Sequence, residues 1–176
     1  LVSCLSRLQE KNGTHDLITA ISVLNKTRDD VSCLIIGDGA ERSRLEKMIK
    51  EFGLEDKVIM MGDVLHDKVG PYIACSDVFV RPSLAEGFGI VYLEAMACDV
   101  PVIGTPVGGI VDFISDNETG LMSEVSNPND LAEKIDRLLD NSKLRERLIE
   151  NSNKMIEERY SWDSIAKQVE GIYIKI

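Results

Sequence analysis

Apolar positions along the chain follow two rhythms. Short unbroken runs, closed by turn residues, alternate with stretches in which Leu, Ile, Val or Met recurs every three or four positions. The runs predict strands at residues 1–5, 31–36, 57–61, 78–80, 101–103 and 120–122. Helical spacing predicts helices at 14–25, 40–52, 71–75 and 88–98. Strand and helix in alternation imply βαβ units, hence a three-layer α/β domain around a parallel sheet of about six strands. The unbroken "SCLIIG" suits a strand buried on both faces.

Beyond Met122 the texture becomes helical. Asn127-Pro128 reads as a cap followed by proline at the first helical position, with Leu131, Ile135, Leu138 and Leu139 repeating behind it. Ser142 reads as the next cap, with Leu144, Leu148 and Met155 turned inward. The closing "SWDSIAKQVEGIYIKI" sets Trp162, Ile165, Val169, Ile172, Tyr173 and Ile176 on one stripe. Residues 1–176 thus read as one domain, with 142–176 a helical tail.

Composition narrows the function. A net charge of −10, with no basic stripe, argues against nucleic-acid binding. Cys4, Cys33, Cys75 and Cys98 are too scattered for a zinc knuckle and read as thiols of a reducing cytoplasm. No run is long enough to span a bilayer, so membrane association is not indicated. His15 and His66 stand apart from any ligand set, and no metal site is expected.

In a parallel sheet, ligands bind at the carboxyl ends of the strands. Here those loops are residues 6–13, 37–39, 62–63, 82–89 and 104–109, most of them glycine-bearing and suited to phosphate. "GDGAER" opens like a dinucleotide fingerprint, but Arg42 stands where the third glycine belongs, which disfavours a dehydrogenase. Asp63 ends the third strand as a receiver aspartate would, yet Ser6-Arg7 replaces the acidic pair which that chemistry needs. Arg7 and Lys11 flank the first loop, either as a diphosphate grip or as a solvated pair.

The stretch "EGFGIVYLE" raises a sharper question, because Glu86 and Glu94 bracket an otherwise apolar segment. Gly87 and Gly89 would leave amides open to an anion at a helix start, with an acid at either end to accept sugar hydroxyls. The alternative is that Glu94 pairs with a nearby cation and Glu86 merely favours the helix dipole.

The segments "SRLQEKNGTHDLITA", "LIIGDGAERSRLE", "VIMMGDV", "SDVFVRPSLAEGFGIVYLEAMACDVPVIGTPVGGIVDFI" and "TGLM" resemble, in that order, the nucleotide-binding half of glycosyltransferase family 4, the group 1 retaining enzymes. The resemblance implies the C-terminal, Rossmann-like half of a GT-B fold, with the N-terminal acceptor domain absent and the helical tail crossing toward it. It implies a donor that is a UDP- or GDP-linked sugar, a substrate and not a cofactor, with no metal required. It implies transfer of a hexose of mannose or glucose type to a glycan or lipid-linked acceptor, in cytoplasmic polysaccharide biosynthesis, this chain alone being inactive. By the same resemblance Glu86 lies at the donor sugar, Glu94 binds the ribose, and Arg7 neutralises the departing diphosphate. The family's second cation precedes the loop glycine; here Asn12 holds that place and Lys11 lies one residue earlier, close enough for a flexible side chain to serve. The backbones of Gly87, Phe88 and Gly89 meet sugar and diphosphate, Gly62, Asp63 and Val64 receive the base, and Gly108 and Gly109 complete the donor site. A non-catalytic nucleotide-sugar module and a GT-B epimerase or phosphorylase are the alternatives.

Overall fold

The computed structural model describes residues 1–174. Six strands, β1 (Val2–Leu5), β2 (Cys33–Ile36), β3 (Val58–Gly62), β4 (Val78–Val80), β5 (Val102–Gly104) and β6 (Leu121–Met122), form one all-parallel sheet in the order β3-β2-β1-β4-β5-β6. Side chains alternate across the pleat. Val2, Cys4, Cys33, Ile35, Val78 and Val80 enter one core, whereas Phe79 and Val102 enter the other.

Helices α1 (Thr14–Leu24), α2 (Arg42–Glu51) and α5 (Pro128–Asp140) cover the first face through Leu17, Ile18, Ile21, Leu45, Ile49, Leu131, Ile135 and Leu138. Helices α3 (Val69–Ala74) and α4 (Ile90–Ala97) cover the second through Val69, Ile73, Val91, Tyr92, Ala95 and Met96. Helix α6 (Ser142–Arg159) lends Leu144 and Leu148 to the first core and Met155 to the second. The neighbours β1 and β4 therefore send their chains to opposite faces. A crevice opens where they part.

Element boundaries shift where backbone chemistry decides them. The expected helix over 88–98 begins at Ile90, because Gly89 sits at φ 82° as its cap. The third helix begins earlier than expected, at Val69; Pro71 lies in its first turn, where the missing N–H leaves no helical bond unmade. Asn127 caps α5 as expected, accepting from the Asp130 amide at 3.1 Å. For α6 the cap is Asn141, not Ser142: its Oδ1 accepts from the Leu144 amide at 3.0 Å.

The apolar stripe of the last helix, α7 (Trp162–Tyr173), faces outward. Trp162 is 85 % and Tyr173 74 % exposed, so the helix does not pack its stripe onto the sheet. Ile176 lies outside the described residues. Among the described residues no helix is long and apolar enough to cross a membrane.

Candidate functional site

At the β1/β4 divide the crevice has a volume of about 570 Å³. Every strand from β1 to β4 contributes its carboxyl end: Ser6 and Arg7, Gly37 to Gly39, Asp63, and Arg81, with Val91 of α4 as an apolar wall. Backbone bonds lace these loops together, Ser6 N–H to Ile36 O at 2.9 Å, Leu8 N–H to Asp38 O at 2.9 Å and Gly37 N–H to Gly62 O at 2.8 Å. The amides and carbonyls nearest the strand ends are thereby satisfied within the fold.

Glu86 does not stand open to this crevice as the sequence suggests. Its side chain is only 15 % exposed, and Oε2 lies 2.7 Å from Nη2 of Arg81, itself 14 % exposed. The contact is one of charge, since Oε2 receives no aligned N–H. Nη2 directs its hydrogen bond to Asn12 Oδ1 at 3.1 Å, and Glu86 Oε1 accepts from the Gly87 amide at 3.1 Å. Asn12 is 2 % exposed and donates through Nδ2 to Arg7 O at 2.5 Å. The Tyr92 hydroxyl donates to the Arg81 carbonyl, fixing the strand end from α4. Below them lies Cys4, whose thiol burial pushes up to about 12 and the Arg81 charge draws partly back.

Glu94 is the fifth residue of α4, one turn beyond Val91 on the same face. It is 29 % exposed and has His66 Nε2 at 3.5 Å. With His66, Asp67, Val69 and Gly70 it borders a second cavity of about 240 Å³. Glu86 lies in the loop before the cap, so the two acids flank the start of α4 without sharing a cavity.

The remaining predicted residues divide between crevice and scaffold. Arg7 and Asp63 line the crevice and are exposed. Lys11 lies in a short 3-10 turn, Glu10–Asn12; its side chain is exposed, and its carbonyl accepts the amides of Leu84 at 2.7 Å and Ala85 at 3.2 Å. It therefore ties the β1 loop to the loop that carries Glu86. Gly62 closes the β3 end through its carbonyl, and Val64 packs partly buried against the second core.

Phe88 is half exposed and turns its ring onto Phe113 and Tyr160, at centroid distances of 5.5 and 6.2 Å. Gly108 and Gly109 serve the Glu86 loop directly: Gly109 N–H donates to Gly87 O at 2.9 Å. At Gly108, φ 55°, an added Cβ would lie 1.7 Å from the Glu86 carbonyl. Sequence reasoning passed over Arg81, Asn12 as a brace, and Tyr92. The signal available for Arg81 was its place, the first residue past a strand end and the first of "RPSLAEGFG".

The glycosyl transferases group 1 family matches residues 1–155. An uncharacterized glycosyltransferase of Methanocaldococcus jannaschii is 35 % identical over 173 residues, 98 % of this chain and 44 % of that protein. The N-acetyl-alpha-D-glucosaminyl L-malate synthase of Bacillus anthracis is 33 % identical over 172 residues, again 98 % of this chain and 44 % of its own. Among solved structures, a variant of S. aureus TarM in complex with fondaparinux, alpha-GlcNAc-glycerol and UDP superposes with a TM-score of 0.88 at 29 % identity, covering 98 % of this chain and 35 % of that one. The chain thus spans less than half the length of these relatives. The family match over most of the chain, two relatives above 30 % identity and a shared fold all say the same: this chain belongs to the group 1 glycosyltransferases.

Proposed function

We propose that this chain is the donor-binding half of a retaining glycosyltransferase. It takes a UDP- or GDP-linked hexose, and transfer to a glycan or lipid-linked acceptor requires a further domain. The observation that carries this reading is the crevice at the β1/β4 divide, lined by the cation Arg7 and by Val91 of α4, with Glu86 and Glu94 outside its lining on either side of the start of that helix. An anionic diphosphate suits the cationic wall. Ribose and sugar hydroxyls suit the carboxylates, which only accept hydrogen bonds when ionised.

Glu94 is the accessible acid and takes the ribose; His66 swings off it when nucleotide enters. Glu86 takes the sugar, and Arg7 meets the charge that builds on the leaving diphosphate. The exposed stripe of α7 is the surface that meets the acceptor-bearing domain. UDP in the S. aureus neighbour and the N-acetylglucosaminyl product in the B. anthracis relative's name support a nucleotide-sugar donor.

Titration calorimetry with UDP and GDP tests the reading. Glu94→Ala is expected to weaken the bound nucleotide by about tenfold or more, the worth of a charged hydrogen bond. Equal affinity in wild type and variant removes the ribose contact. A wild type that binds neither nucleotide removes the whole reading.

A further inference from the structure

We propose that Arg81 is the positioning residue for Glu86, holding the carboxylate in place beside it for a sugar hydroxyl. The inference rests on the reading of Glu86 as the sugar-facing acid. It begins with burial: both side chains are about six-sevenths enclosed, at 14 % and 15 % exposure. Enclosing a carboxylate is costly unless a cation stands beside it. Arg81 is that counter-ion.

Tyr92 of α4 and Cys4 of β1 feel the Arg81 charge; the other titratable side chains on these elements are Glu94 of α4 and Glu10 and Lys11 of the 3-10 turn. Burial raises Tyr92 and Cys4, so each keeps its proton and adds no charge.

The geometry is that of a hold, not a lock. Glu86 Oε2 sits 2.7 Å from Arg81 Nη2 and accepts no aligned N–H, so turning the carboxylate toward a hydroxyl gives up one formed hydrogen bond, that from the Gly87 amide to Oε1 at 3.1 Å. Arg81 is tethered through one nitrogen of its guanidinium, with Nε unpaired. Its Nη2 is bonded to Asn12 Oδ1 at 3.1 Å, Asn12 is in turn bonded to the Arg7 carbonyl, and the Arg81 carbonyl is held by Tyr92. A tethered cation beside a carboxylate with an idle acceptor is preorganised for a hydroxyl in a way that a freely solvated acid is not. Asn12 therefore acts as the brace that connects the Arg7 loop to Glu86.

The test is calorimetry on this chain with UDP and GDP, and with UDP-glucose, UDP-N-acetylglucosamine and GDP-mannose, at neutral pH. In wild type one sugar nucleotide is expected to bind more tightly than its own nucleoside diphosphate. Arg81→Leu is expected to lower sugar-nucleotide affinity about tenfold at pH 7, and by clearly more than it lowers nucleoside diphosphate affinity, since Arg81 also lines the crevice. Arg81→Lys should restore most of the sugar preference at neutral pH.

Asn12→Ala keeps both charges and loses the brace. It should lower the preference several-fold, and it stands in for Arg81→Leu should that variant fail to fold. A sugar preference retained in Arg81→Leu overturns the proposal, as does an equal loss of nucleoside diphosphate and sugar nucleotide. A wild type that binds nucleoside diphosphate with no sugar preference overturns it too, while leaving the nucleotide site standing. A wild type that binds no nucleotide at all overturns the parent reading and this proposal with it.

Discussion

Tyr92 ties the core to the crevice within a single side chain. Its ring is fully buried, edge-on to Phe79 at 5.8 Å, while its hydroxyl reaches the Arg81 carbonyl. Tyr92→Phe keeps the ring and removes that bond, so a loss of about 1 kcal/mol is expected, read as a fall in Tm of roughly 2–4 °C. An unchanged melting temperature would show that the bond contributes nothing. Burial also raises the phenol, so the folded chain keeps this proton to higher pH than the unfolded chain. The sign follows: this stability is fully present below about pH 10 and is lost as pH climbs beyond it. Tyr92→Phe should therefore flatten the alkaline limb of a stability–pH curve.

Between elements, one arginine staples the turn after α1 to α5. Arg28 donates to Asp30 at 2.7 and 2.8 Å, to Asp136 at 2.6 Å and to Asp140 at 3.0 Å. A four-member network is worth more than an isolated surface pair, and Arg28→Ala is expected to cost about 1 kcal/mol in urea unfolding, less at high salt. The bond from Arg28 holds Asp30 down at about 2. Its contribution is therefore complete above about pH 4 and disappears as pH falls toward the folded value. A wild-type advantage that persists unchanged at pH 2 would contradict this pairing. Element types were legible in the sequence because strand runs and helical stripes are set by which side chains must be buried, as in 33–36 and 131–138. Boundaries were not, because Gly89, Pro71 and Asn141 act through backbone geometry and capping rather than burial. The loops of the candidate site were likewise legible from strand ends. The Arg81–Glu86 pair was not, since it closes through space and its third member, Asn12, lies 69 residues from Arg81.

For the whole molecule, the sole tryptophan lies on the exposed face of α7, apart from both cores. Trp162 emission is expected to be red-shifted and readily quenched by acrylamide in the folded chain, changing little on unfolding. A blue-shifted, protected signal in dilute solution would contradict this placement. The central position of β1 has a consequence for how the chain is made. It is the first strand of this sheet to be synthesised, yet it is flanked by β4, and the face of α1 beside it is roofed by Leu131, Ile135 and Leu138 of α5. A nascent chain released at residue 120 would own most of its strands and none of that roof. Partial products should be sticky and should fail to mature, so synthesis of this unit is all or nothing.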